Sequence, residues 1–235
     1  MSTNAGLYTD PSADRDTLLR RMLTPAPLFE LIGPHDRQRA AVEAIVAEKF
    51  QAAWQANVTH FLPWLLSMQC LGHCSAVAGL RPAAGAPLFL EQYLEQPVNI
   101  VLSQRVGQLV PRGAIVEVGN LAASQRGASH VLFLVMTAVL HDAGFKWITF
   151  TATRALRNNL DKFGYPLLKL ADARPAQLDA AELGAWGSYY ASEPMVMAGS
   201  LDVALDLIHE RPLMRHVLNL YRRQIEALAD RLRRA

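Results

Sequence analysis

The segment IVEVGNLAASQRGAS, residues 115–129, constrains the fold more than any other stretch of the chain. A β-branched run carries one carboxylate, Glu117, and breaks at Gly119-Asn120. It then passes through small polar residues and Gly127 into a long apolar stretch. The alternation predicts a strand over 114–122, and the periodicity predicts a helix over 128–142 with Gly144 at its C′ position. A strand that opens into a helix N-terminus through small residues offers backbone N–H groups to an anionic ligand. A carboxylate on that strand, if it faces the core, has a raised pKa and is poised as a base for an amine. The alternative is a solvent-facing strand residue or an ion pair with an arginine.

The remaining elements follow from pattern and punctuation. A first strand is predicted over 28–32, closed by Gly33-Pro34, and a helix over 37–54. Apolar runs at 63–71 and 75–80 around Gly72-His73 predict an antiparallel hairpin. Residues 87–94 read as a short helix, and 98–102 fit helix or strand. Further strands are expected over 147–151, 167–170 and 195–198. Helices are expected over 154–163, ended by Gly164, and over 213–232. Strands and helices alternate in the second half, so the fold class is mixed α/β. The expected organisation is a disordered tail at 1–16, one domain over 17–200, and a basic amphipathic helix in 201–235.

Composition excludes several function classes. Half of the 235 residues are hydrophobic, so a large core is available. A net charge of +2 gives no footprint for nucleic acid. The only two cysteines, Cys70 and Cys74, make no disulfide framework and suit a reducing compartment. With His73 they place three soft ligands close together, but no second cluster exists, and no metal is expected. The N-terminus lacks a basic region followed by an apolar one, and no apolar run spans a bilayer, which together predict a cytoplasmic protein. Arg211, Arg215, Arg222, Arg223, Arg231, Arg233 and Arg234 make the last helix basic. Such a helix would dock an acidic carrier protein, lie peripherally on an anionic inner-membrane surface, or pack on the body or a second subunit of a homodimer.

Two features converge on a family. One is the Glu117 strand with its small-residue turn and long helix; the other is RNNLDKFGY at 157–165 after a second strand. Together they resemble the core of the GNAT acyltransferase superfamily. More closely, PLFLEQYLEQPV (87–98), IVEVGNLA (115–122), FTATRALRNNL (150–160) and WGSYY (186–190) resemble the thermostable hemolysin family over roughly 37–199. That family is similar to acyl-homoserine-lactone synthases and N-acyl amino acid synthases. The resemblance implies a GNAT-like fold with a C-terminal helical extension. It also implies transfer of a fatty acyl group from acyl-CoA, or from the acyl-pantetheine of a carrier protein, to a small amine such as an amino acid, without a metal. The family label implies a membrane-active hemolysin as the alternative, and the scaffold alone would suit a non-catalytic acyl-binding protein. There are two departures. The phosphate loop, Ser124 to Ser129, has one glycine and no basic residue at its first position, which keeps a carrier-protein donor open. Asn99 stands where the family pattern has an acidic residue, which would alter the acceptor site.

The resemblance and the residues together nominate a site. Glu117 would be the base. Asn120 would orient a substrate amide or bond backbone at the strand end, and Tyr165 would supply a hydroxyl to the leaving thiolate or pack in the core. Backbone groups of Leu121, Ala122 and Ala123 would hold pantetheine or the developing oxyanion. Arg126, Gly127, Ala128 and Ser129 would cradle phosphate, or form an ordinary N-terminus capped by Ser124; Asn158 joins the donor side. Arg81, Arg105 and Arg112 are candidates for an acceptor carboxylate, or surface charges. Thr151 and Thr153 end a strand where ligands bind, with N-capping the alternative for Thr153. Trp186, Tyr189 and Tyr190 would wall an acyl pocket or simply pack.

Overall fold

The computed structural model describes residues 26–124, 127–162 and 164–234. The expected tail at 1–16, together with Gln125, Arg126 and Phe163, lies outside the described residues. One seven-stranded sheet runs in the order β1-β2-β3-β4-β5-β7-β6. Its strands are β1 (Leu28–Ile32), β2 (Trp64–Cys70), β3 (His73–Pro82), β4 (Ile115–Ala123), β5 (Trp147–Ala152), β6 (Leu167–Asp172) and β7 (Met195–Ser200). All neighbours pair antiparallel except β4 and β5. A parallel pair needs a crossover, and helix α3 (Ala128–Asp142) supplies it.

Strand alternation separates the two faces. Leu66, Met68, Ala78, Leu80, Val116, Val118 and Phe150 pack toward α3, α6 (Leu201–His209) and α7 (Pro212–Arg233). Leu65 and Val77 face α1 (Arg39–Trp54), and Ile115 and Ala198 face α2 (Val98–Val106). Helix α3 is apolar nearly all round because it lies between the sheet and α7; Val131, Leu132, Val135, Val139 and Leu140 are all fully buried. It ends as its glycine predicts. Gly144 has φ +98°, its N–H reaches His141 O, and the Phe145 N–H reaches Leu140 O, a Schellman closure.

Several boundaries moved. Residues 98–102 resolve to helix because Pro97 stands at the N-cap of α2 and Gly107, at φ +71°, closes it. The short helix of 87–94 is a 3₁₀ turn, Phe89–Tyr93. Two helices were not anticipated: α5 (Ala180–Ala185), capped by Asp179, and α6, capped by Ser200. Helix α7 is basic outside, but Val217, Tyr221, Ile225, Leu228 and Leu232 are buried in the α3 cluster, and Tyr221 meets Phe29 edge-on at 5.1 Å. Its apolar stripe is used by the core. No helix among the described residues is long and apolar enough to cross a membrane.

Candidate active site

The site begins with a defect in β4. Val77 pairs with Ala122 and Gly79 with Gly119, so β4 advances three residues where β3 advances two. The extra residue is a β-bulge at Asn120-Leu121, and Asn120 adopts φ +48°, a conformation asparagine tolerates. Pairing with β5 stops at the same point, with Val118 opposite Phe150. Beyond it β4 stays with β3 and leaves β5, opening a splay at the C-terminal ends of the parallel pair. The Asn120 amide holds the opening. Its Oδ1 accepts the Leu62 N–H at 2.8 Å, pinning the loop after α1 across the sheet. Gly79 and Gly119 make room for this crossing: a Cβ on Gly79 would stand 2.8 Å from Asn120 Oδ1, and one on Gly119 3.0 Å from Leu62. Asn120 is thus occupied in shaping the opening.

Glu117 lies two residues before the bulge and is 4% exposed. Its Oε2 accepts the Phe89 N–H at 3.0 Å and its Oε1 the Leu90 N–H at 2.9 Å. Burial pushes its pKa up; the Leu90 and Phe89 amides and the charge of Arg81 hold part of that back. Each oxygen keeps a lone pair beyond its amide contact, so the carboxylate retains capacity to take a proton. The amides are held in place from behind. Glu91 accepts Arg112 at 2.5 and 2.7 Å and the Val98 and Leu88 N–H groups at 2.8 Å each. Burial opposes ionisation of Glu91, but these partners outweigh it and bring its pKa down to about 2. Arg112 also donates to the carbonyls of Ala83 and Ala86. Thr149, the register partner of Glu117, is fully buried, and its hydroxyl has no protein partner.

A cavity of about 610 Å³ passes through the splay. On the α1 face it meets Glu117, Arg81, Thr151, Trp186 and Tyr189; on the α3 face it meets Phe133, Met136, Leu156, Leu160 and Tyr165. Asn120, Leu121 and Thr153 line the passage between them. Arg81 sits directly across from Glu117 in the β3–β4 register and, among the described residues, is the only arginine or lysine in the lining of this cavity. Thr153 also accepts the Leu156 N–H at 3.3 Å at the start of α4 (Arg154–Lys162). Burial pushes the Tyr165 hydroxyl up, so it stays protonated.

Other nominated residues are not brought into the cavity. Arg112 is bound by Glu91, and Arg105 borders a separate polar pocket with its guanidinium 3.5 Å from Leu170 O. Ala122 and Ala123 continue the β3 pairing, and Asn158 is an exposed residue of α4. Ser124 does not cap α3; its hydroxyl donates to Ser75 O. The N-cap is Gly127 at φ +90°, with no side-chain cap, and Ala128 and Ser129 form the first turn. Arg126 lies outside the described residues. Cys70 and Cys74 lie at the β2–β3 turn and are not joined in a disulfide.

Sequence reasoning missed Tyr93, Trp54 and Glu182, which all line the cavity. They come from segments far apart in the chain, and no local spacing marks them. The WGSYY stretch is fixed by backbone. Trp54 O accepts the Ser188 N–H at 2.8 Å, and Asn57 N–H reaches Ala185 O at 2.7 Å. Gly187, at φ +51°, lies so close to the end of α1 that a Cβ would collide with the Trp54 and Gln55 carbonyls. This clamp presents Trp186, Tyr189 and Tyr190 to the cavity.

A mixed sheet with one parallel pair splayed at a bulge, and a cavity through the splay, is the GNAT-like fold. The thermostable hemolysin family model matches residues 32–205, and the chain belongs to that family. Among solved structures, it is similar to FeeM, an N-acyl amino acid synthase from uncultured soil microbes. The TM-score is 0.51 at 9% identity, covering 74% of this chain and 95% of FeeM. It is also similar to the acyl-homoserine-lactone synthase LasI, with TM-score 0.49, 8% identity, and coverage of 75% and 90%. MesI, a CoA-dependent acyl-homoserine lactone synthase, gives TM-score 0.45, 14% identity, and coverage of 83% and 95%. No curated protein matches the sequence.

Proposed function

We propose that this protein is an acyltransferase that moves a fatty acyl group from a pantetheine thioester to an amine. The observation that carries the reading is the cavity through the β4–β5 splay with the Glu117 carboxylate on its wall. FeeM, which shares the fold, is by its name an N-acyl amino acid synthase, and that activity agrees with the reading. The thioester arm, from acyl-CoA or an acyl carrier protein, enters at the splay. Its phosphate end faces the uncapped first turn of α3, whose N–H groups favour an anion. Its carbonyl lies against the β4 backbone at 121–123, and an N–H there stabilises the oxyanion as it forms. The acyl chain takes the apolar space among Phe133, Met136, Leu156 and Leu160 on the α3 face. Trp186 and Tyr189 are then left to the acceptor.

The acceptor amine arrives on the α1 face. Glu117 takes its proton, the nitrogen attacks the carbonyl, and the C–S bond breaks. Tyr165, kept protonated by burial, is the group on the α3 side that can return a proton to the thiolate. Arg81 beside Glu117 suits an acceptor that carries a carboxylate, as an amino acid does. A membrane-active role for α7 has less support, because docking it on a bilayer would require pulling its apolar face out of the core.

Mass spectrometry of reactions containing purified protein, octanoyl-CoA or octanoyl carrier protein, and a panel of amines tests the proposal. Acyl amide formed with one equivalent of free thiol is the expected result. Absence of amide with every donor would refute it.

A further inference from the structure

The α1-face half of the cavity is not a plain apolar wall. Phe89 meets Trp186 at a centroid distance of 5.7 Å and Tyr93 at 6.2 Å. Trp186 meets Tyr189 at 5.1 Å and Tyr190 at 6.4 Å, and Trp54 closes on Tyr189 at 5.3 Å. The hydroxyls of Tyr93 and Tyr190 are hydrogen-bonded to each other. This aromatic wall starts at the base itself, since the Phe89 amide rests on Glu117. Glu182 also lines the cavity with its side chain exposed; burial is the main reason the hydroxyl pKa values of Tyr93 and Tyr190 are raised, and the Glu182 charge adds a smaller push to each. Arg81 lies at the other end, beside Glu117.

Aromatic faces with a carboxylate at their edge are complementary to an organic cation. They give an aliphatic acyl chain no use for Glu182, and they disfavour an anionic side chain. We infer that the acceptor is a basic amino acid, whose distal ammonium or guanidinium lies along the Trp54–Tyr190 aromatic wall with Glu182 as counter-ion. The inference rests on the acyl-transfer reading and deepens it. The amine next to the carboxylate is placed between Arg81 and Glu117 and loses its proton to Glu117. Its nitrogen forms the amide bond as the C–S bond breaks, and the thiolate leaves as free thiol. The distal cation keeps its proton and is not acylated.

L-lysine and L-norleucine share a carbon skeleton and differ in the distal ammonium, so they isolate the effect. With octanoyl-CoA or octanoyl carrier protein, kcat/KM for lysine is expected to exceed that for norleucine at least tenfold. Tandem mass spectrometry is expected to place the acyl group on the α-nitrogen. Glu182→Gln, an exposed substitution on a short helix, is expected to lower the ratio of the lysine to the norleucine kcat/KM about tenfold. Calorimetric binding of each amino acid to donor-free protein gives an independent readout. Lysine-selective binding that Glu182→Gln abolishes, without acylation of any amine, would overturn the acyl-transfer reading and uphold the cation site. Equal or better use and binding of norleucine, or a lysine preference untouched by Glu182→Gln, would overturn the inference.

Discussion

Replacing Glu117 by glutamine removes the proposed base with almost no change in shape. Loss of a positioned general base costs about 10²–10⁴ in rate, or roughly 3–5 kcal/mol of transition-state stabilisation. The substitution also disturbs the fold, because both carboxylate oxygens accept backbone amides. In the Glu117→Gln variant one of those amides faces an NH₂ group, at a cost of about 1–3 kcal/mol. Against this, the variant no longer buries a charge. The folded-state pKa of Glu117 is raised. Its contribution to stability is therefore complete below the unfolded pKa and is lost as pH rises through the folded value. The stability gap between wild type and variant should accordingly narrow as pH rises. The rate has the opposite dependence, since only the ionised form is a base. Wild-type kcat/KM should climb with pH along a limb displaced above the ordinary glutamate range. The assay is thiol release with amide detection across pH, with melting temperature and circular dichroism on the same samples. A folded variant that keeps more than half the activity, or retains the same acid limb, would refute the role of Glu117.

Arg112→Met should cost about 1–3 kcal/mol by leaving Glu91 without its guanidinium. KM for a carboxylate acceptor should stay unchanged, whereas Arg81→Met should raise it; denaturant titration and acceptor kinetics separate the two. Gly187→Ala should lose about 1–3 kcal/mol from strain at positive φ and from collision with the end of α1, read as a lower urea midpoint. Thr149→Val removes a buried hydroxyl with no protein partner and should leave stability equal or higher by about 1 kcal/mol. Met136→Trp fills the α3-face space. Four buried methylenes are worth about 3 kcal/mol, so the variant should lose on the order of a hundredfold in kcat/KM for octanoyl over butanoyl donors.

How much was legible in the sequence depends on the range of the interactions involved. The Glu117 strand, α3 and its glycine stop follow from local alternation and capping, and the structure has them within a residue. The bulge at Asn120 is invisible locally because it is defined by what β3 does opposite it. Arg81 and Arg112 look alike in sequence, each flanking a strand. Only the fold shows that one points into a cavity and the other is held by Glu91. Thr153 stands at a strand end on the cavity and also accepts the Leu156 N–H at the start of α4, positions the sequence leaves open side by side. Tyr93 and Glu182 join the wall through packing between segments about ninety residues apart in the chain, a distance no spacing rule covers. The sequence marks 213–232 as basic and amphipathic, while the partner of its apolar face is evident only from α3.

A crystal structure with a non-hydrolysable octanoyl-pantetheine amide tests the central claim most directly. The account predicts the arm threaded through the β4–β5 splay, its carbonyl within hydrogen-bond reach of a β4 amide at 121–123, and its chain beside Met136 and Leu160. The amine side of that carbonyl should face the Glu117 carboxylate. An arm bound elsewhere, with the splay closed or the carbonyl turned away from Glu117, would contradict it.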